Sequence, residues 1–480
     1  MRTSIVLMLA FFVAVPSIHA QHPDRSEPPA VGPVHALKLP TIQPRTLSSG
    51  LSVWIVEKHQ VPLVQMSMLV GAGRMYETPP EYGLADLTAD MLDEGAGERS
   101  AVEISDALDL LGARFSIKSD EQSTTLNLRV QVDRADKALA IFSDILLRPI
   151  FSDADLDRLR LERLTELITR RDEPNVIASA LLNRTLFGVE HPFGRTGIGD
   201  EAHLRRFTTV EMRAFYAAHC RPNNAVMVVV GDVTPESIIP LLEKAFGDWP
   251  SGNISQPAFA MADQVRGRRL YLVDKPGAVQ SVIRIGRIGA KRDTKDYYAI
   301  EVLNTILGGS FTSRLNQNLR EDKGYTYGAS SAFVYRAVAG PFLAGASVQT
   351  AVTGPALTEF INELRNIRKP TPEAEIDRAR NFLAMRFPAG FQSVSQVAIR
   401  MLTLRRYHLP LDTYAQYTQG IMAVTPADVA RVARQYIDPC NIAIIVVGDR
   451  SIIGEQIKGL KLGPEKWLSL DAVLGAPPKL

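Results

Sequence analysis

Part of this chain is written twice. Residues 216–232 read YAAHCRPNNAVMVVVGD, and residues 435–449 read QYIDPCNIAIIVVGD. Each copy leaves a helix end through a Pro turn and enters a β-branched run that stops at Gly-Asp. The runs 226–230 and 442–447 are short, continuous and apolar, which is the pattern of strands buried in a sheet. A helical pattern follows each, over 235–246 in the first copy and 452–460 in the second. The upstream segments correspond as well. Strand-like 51–56 and 61–70 precede a helical 82–92, and strand-like 269–273 and 281–288 precede a helical 297–307. A polar stretch with Pro and Gly, 250–264, separates the two sets. Strands mixed with runs of helices predict an α+β fold in which helices cover one face of a mostly antiparallel sheet. Here that unit is built twice.

The length, 480 residues, calls for more than one domain. A hydrophobic content of 46% against 22% charged excludes a disordered chain. Lys and Arg total 54 and Asp and Glu 52, with no extended basic tract, so nucleic acid is excluded as the expected partner. The N-terminus predicts a cleaved export signal over 1–20. Arg2 supplies the positive end, 5–15 the apolar core, and Ile18-His19-Ala20 the cleavage site before Gln21. The apolar run is too short to span a bilayer and nothing after it is long enough. The expected location is therefore outside the cytoplasm, and periplasmic if the source is Gram-negative. Residues 21–45 are Pro-rich and weakly patterned, an extended arm. Cys220 and Cys440 do not make a disulfide framework and are read as unpaired thiols.

The segment Gly83-Leu84-Ala85-Asp86-Leu87-Thr88-Ala89-Asp90-Met91-Leu92 resembles the start of M16-family (inverzincin) peptidases, in which this helix carries His-x-x-Glu-His. Two His one turn apart hold a zinc ion, and the Glu between them takes a proton from the metal-bound water. Here Asp86 and Asp90 stand at the His positions and Ala89 at the Glu. In the later run LRLERLTEL (159–167), the resemblance puts Glu166 at the family's remaining zinc ligand and Leu159 at a supporting Glu. The sequence thus keeps one ligand of three and lacks the general base. Asp86, Asp90 and Glu166 together would suit Ca²⁺, Mg²⁺ or Mn²⁺ better than zinc. The plainer reading makes the two Asp solvated or hydrogen-bonded helix residues at a degenerate site. The eight His are scattered, and no Gly-x-Ser-x-Gly elbow, P-loop or dinucleotide fingerprint is present.

Residues 308–328, GGSFTSRLNQNLREDKGYTYG, are similar to the family's second-domain signature, where an Arg and a Tyr seven residues later face the zinc site. Arg320 and Tyr327 keep that spacing. The resemblance implies that they hydrogen-bond the substrate carbonyl as charge develops on it. The alternative places Arg320 on a helix surface beside Glu321 and packs Tyr325 and Tyr327 on the next strand. Gly308 and Gly309 suit either a loop whose backbone approaches a peptide or a plain helix cap. His191, in His191-Pro192-Phe193-Gly194, resembles a loop residue of the first domain and not a ligand.

The resemblance extends over about 45–460. It implies two homologous LuxS/MPP-like metallohydrolase domains of subfamily M16B: an export signal 1–20, arm 21–45, first domain 46–250, linker 251–265, second domain 266–465 and C-terminal tail 466–480. It also implies the non-zinc subunit of a two-chain peptidase. This chain would hold no metal. A partner with His-x-x-Glu-His would carry the zinc, and the substrate would be a peptide or unfolded polypeptide. A non-catalytic scaffold or peptide-binding protein is the alternative. An independent hydrolase using a non-zinc metal is the third reading, and the missing base at Ala89 weighs against it.

Overall fold

A computed structural model describes residue 32 and residues 37–480. The expected export signal and most of the 21–45 arm lie outside the described residues. What is described begins with β1 (Gln43–Thr46), β2 (Ser52–Glu57) and β3 (Leu63–Val70). A small ribbon, β4 (Gly95–Ala96) with β5 (Arg99–Ser100), precedes β6 (Arg114–Ser119), β7 (Thr124–Gln131) and β8 (Ala225–Gly231). The second half supplies β9 (Arg269–Asp274), β10 (Gln280–Ile288), β11 (Thr326–Phe333), β12 (Pro341–Gln349), β13 (Ala443–Gly448) and β14 (Glu465–Leu468).

Two six-stranded sheets result, in the orders β1-β2-β8-β3-β7-β6 and β11-β12-β10-β13-β9-β14. Read from opposite ends, five strands correspond place by place: β2 with β9, β8 with β13, β3 with β10, β7 with β12 and β6 with β11. In each sheet the first of these strands runs parallel to the second, and the remaining pairs are antiparallel. The duplication read from the sequence is therefore a duplication of topology.

The expectation of helices on one face is corrected. Every residue of β8 and β13 is buried, which requires cover on both sides. Met227 and Val229 point into the core of the first half, whereas Val226, Val228 and Val230 pack against Val397, Met401 and Leu404 of the helix Val394–Arg406. That helix belongs to the second half. The exchange is mutual. Ile444 and Val446 face the core of the second half, while Ala443, Ile445 and Val447 meet Ile177, Leu181 and Leu182 of the helix Pro174–Phe187 from the first. Each half lends one helix to the other's sheet. Burying each such side chain contributes roughly 1.5–3 kcal/mol, so neither sheet is complete without the other half.

The ends of the chain also differ from expectation. Residues 43–46, counted into the arm and the domain start, pair antiparallel with β2. The stretch 466–480 is not a tail: β14 adds in parallel to β9, and the helix Leu470–Leu474 buries Val473 on the Pro174 helix. The span 250–264 carries no helix or strand, but Gln264 brackets Ile288, donating to its carbonyl at 2.9 Å and accepting its N–H at 3.1 Å. Cys220 is buried, Cys440 is exposed, and both are free thiols.

Candidate functional site

The helix Leu84–Asp90 starts at Gly83, whose φ of 95° is natural only for glycine. Gly83 has no side chain to cap the helix, so Glu77 reaches in and accepts the N–H groups of Gly83 (3.2 Å) and Ala85 (2.8 Å). Burial pushes this carboxyl up to about 8, against those two hydrogen bonds. Leu84, Ala85, Leu87 and Thr88 are buried, which turns Asp86 and Asp90 away from the core. Ala89 is 3% exposed and faces apolar neighbours that include Leu92 and Phe215.

Of the three carboxylates, Asp86 and Glu166 lie near enough to Asp90 to act on its charge, but among the described residues no three such side chains close into a group that could hold a metal ion. Burial, opposed by Arg163 and assisted by the like charges of Asp86 and Glu166, raises the half-exposed Asp90 carboxyl. Each is nonetheless held by an arginine. Asp86 Oδ2 accepts from Arg74 Nη1 at 3.1 Å, Asp90 from Arg163, and Glu166 Oε1 from Arg170 Nη1 at 3.2 Å. The Asp86 pair is the most enclosed, with side-chain exposures of 17% and 14%. A Cβ at Gly197 would lie 1.7 Å from Asp86 Oδ2 and 2.2 Å from Arg74 Nη1, so only glycine lets that loop lie over the pair. Arg74 continues to Glu121 (3.1 Å), and Glu121 to Arg336 of the second half (2.9 Å). A chain of alternating charge thus runs from Asp86 across to the other half.

This donor set does not fit zinc. Arginines occupy the carboxylates, no His is present, and the position of the base is an apolar methyl. It suits a hard cation no better, because three guanidinium groups already neutralise the three acids. Leu159 is buried in the first core.

In the second half, Arg320 lies in a π-helical turn, Gln317–Asp322. Its Nε is 3.3 Å from Glu321 Oε1 and its guanidinium carbon 4.5 Å from the centroid of the Phe311 ring. Tyr325 is partly buried in the second core, whereas Tyr327 is 90% exposed. Tyr327 sits in a β-bulge, since the register of β11 on β12 shifts between Thr326 and Ala329. The ambiguity between the two tyrosines is thereby separated: Tyr325 is packed and Tyr327 is presented.

Gly308 and Gly309 are corrected. Their N–H groups both donate to Asn304 O, at 2.9 and 2.7 Å, and Gly308 O accepts from Ser331 N. A Cβ at Gly308 would lie 2.3 Å from Ser331 N. The close approach that demands glycine is to the chain's own β11, and no N–H is left for a peptide. This contact, with Asn316 Oδ1 accepting from Ala329 N at 3.3 Å, covers the outer edge of β11. The matching edge strand, β6, makes no further backbone hydrogen bond among the described residues, and the Leu84 helix packs beside it. His191 is a loop residue whose Nδ1 accepts from Phe193 N at 3.1 Å.

Sequence reading missed the arginines. Arg74 and Arg163 come from other elements than the acids they hold, so no spacing announces them. Arg170, four residues after Glu166 on one helix, carried a readable signal.

Two family descriptions match the chain: Insulinase (Peptidase family M16) over residues 52–195 and Peptidase M16 inactive domain over 206–383. An uncharacterized zinc protease of Rickettsia bellii is 23% identical over 413 residues, covering 85% of this chain and 98% of that protein. The uncharacterized zinc protease YmxG of Bacillus subtilis is 26% identical over 290 residues, 60% of this chain and 68% of that one. Among solved structures, a peptidase M16 inactive domain from Pseudomonas fluorescens superposes with a TM-score of 0.80 at 24% identity, over 85% of this chain and 98% of that one. A protease from Helicobacter pylori gives 0.80 at 21%, over 85% and 100%. At these identities the structures speak for the fold.

Proposed function

The chain belongs to the M16 peptidase family, and from that premise we propose that it is the non-metal subunit of an exported two-chain peptidase. The observation that carries the proposal is one-sided. At the degenerate zinc locus every acid is paired with an arginine, while in the second half Tyr327 stands 90% exposed on a bulge and its hydroxyl makes no hydrogen bond among the described residues. A large side chain held out by a bulge contributes little to stability, and such features are typical of sites.

In this reading Tyr327 and Arg320 donate hydrogen bonds to the carbonyl oxygen of a scissile peptide as negative charge gathers there. The open edge of β6 takes an extended substrate segment as an added strand, which the covered edge of β11 cannot. The zinc and the general base belong to the partner, a chain with His-x-x-Glu-His. Export would bring both chains together outside the cytoplasm. No described helix is long and apolar enough to cross a membrane.

A scaffold is the second reading, favoured by the Asp86–Arg74–Glu121–Arg336 chain, which ties the halves together and needs no substrate. Co-expression with a secreted His-x-x-Glu-His homologue separates the two. Hydrolysis of an unfolded peptide is expected with both chains, and from neither this chain alone nor the partner alone. A partner that assembles with this chain yet works equally well without it leaves the scaffold reading in place.

A further inference from the structure

We propose that a polar cavity in the second half, behind the π-helical turn, binds a zwitterionic ligand: a short peptide with both ends free. A second duplication lies in the helices Asp153–Thr169 and Glu373–Arg386. Residues 153–160 read DADLDRLR and residues 373–380 read EAEIDRAR. Arg160 and Arg380 do the same work in both copies. Arg160 donates to Leu204 O at 2.9 Å and Arg380 to Val424 O at 2.8 Å.

Arg158 and Arg378 occupy the same place and do not do the same work. Arg158 lies 2.8 Å from Glu162 Oε1, pairs with Glu94, and is 3.9 Å from Asp155. The repeat puts Phe382, Gly309 and Glu375 at those three positions, and Glu375 is taken by Arg314 at 2.8 Å. Arg378 is left with no ion-pair partner among the described residues. Ala379 and Phe382, which stand where the first half has Leu159 and Glu162, line with Arg378 a cavity of about 570 Å³. That is within the range of roughly 300–1,000 Å³ usual for small-ligand sites.

The lining is charged with both signs. Arg314 and Arg378 line it together with the Arg314-paired Glu375 and two further acids, Asp322 and Glu363. Both acids lack a cation among the described residues. Asp322 accepts only from Gln317 Nε2 (3.1 Å) and Glu363 only from Asn318 Nδ2 (2.9 Å). A carboxylate facing the guanidinium groups and an ammonium facing the acids would satisfy the cavity together. A ligand of one sign would leave the opposite charges unpaired. Gln317, Asn318 and Asp322 all hang from the π-helical turn, a geometry that recurs at functional sites.

The test uses the full chain without a partner, so it does not depend on the peptidase reading. L-alanyl-L-alanine, its N-acetyl form and its C-terminal amide are titrated calorimetrically. Saturable binding of the free dipeptide is expected, weakened tenfold or more by either block. Arg378→Ala should weaken the dipeptide tenfold while leaving the amide's affinity unchanged, and Asp322→Asn should do the same with respect to the acetylated form. Both residues are exposed, so melting temperatures should hold. Absence of binding by all three ligands, equal affinity for all three, or variants that bind like wild type would overturn the proposal.

Discussion

The two halves share a topology and have spent their polar residues differently. In the first, Asp86, Asp90 and Glu166 are each answered by an arginine, so the charges are paired within the fold. In the second, Tyr327 is 90% exposed and has no partner among the described residues, and Arg378 lines a cavity where its counterpart Arg158 is paired with carboxylates. The contrast teaches where to look in a duplicated fold. A polar group satisfied in one copy and idle in the other is a candidate for work outside the fold.

The largest effects should come from the exchanged helices, where the halves depend on each other. Leu182→Asp and Met401→Asp, both 2% exposed, each place a carboxylate against the other half's sheet. Each should cost on the order of 5 kcal/mol, and denaturant melts should remain single transitions. A variant in which one sheet melts while the other stays folded would break the claim of mutual cover.

A smaller loss is expected from Arg74→Ala, which strands the enclosed Asp86: about 3 kcal/mol by thermal melt. Pairing Arg74→Met with Asp86→Leu should recover most of it. Arg163→Ala and Arg170→Ala release half-exposed acids and should cost less than about 1 kcal/mol each. Equal losses at all three positions would mean that the Asp86 pair is no special link between the halves.

Glu77 gives a pH signature for the first half. Its folded carboxyl is raised from 4.5 to about 8, so the native state keeps a proton that the unfolded chain releases. Stability attributable to this group should fall as pH climbs from about 4.5 to about 8 and level off above. Glu77→Gln should flatten that part of the profile. An unchanged profile would remove Glu77 from the account.

Much of the fold was legible. Runs such as 226–230 and 442–447 are β-branched and apolar without a break, and only fully buried strands read that way. The exchange of helices was not legible, because an apolar face on the Val394 helix does not say whose sheet it covers. The strand 465–468 reads EKWL, too short and too charged to announce itself. At the site, the family resemblance singled out Asp86, Asp90 and Glu166, and the structure pairs each with an arginine. Arg74 and Arg163, which hold two of them, come from other elements and left no signal in the sequence. Gly308 and Gly309 fit a peptide-approaching loop or a helix cap equally in sequence; Gly308 lies against the chain's own strand and Gly309 against Asn304 of the preceding helix.

The central claim is that the second half retains chemistry which the first has given up, and one substitution addresses it most directly. In the reconstituted pair with a zinc-bearing partner, kcat for an unfolded peptide is measured with Tyr327→Phe. Loss of one transition-state donor should lower kcat at least tenfold, roughly 1.4 kcal/mol or more, with assembly and melting temperature unchanged. Wild-type turnover from a fully assembled Tyr327→Phe complex would contradict the account.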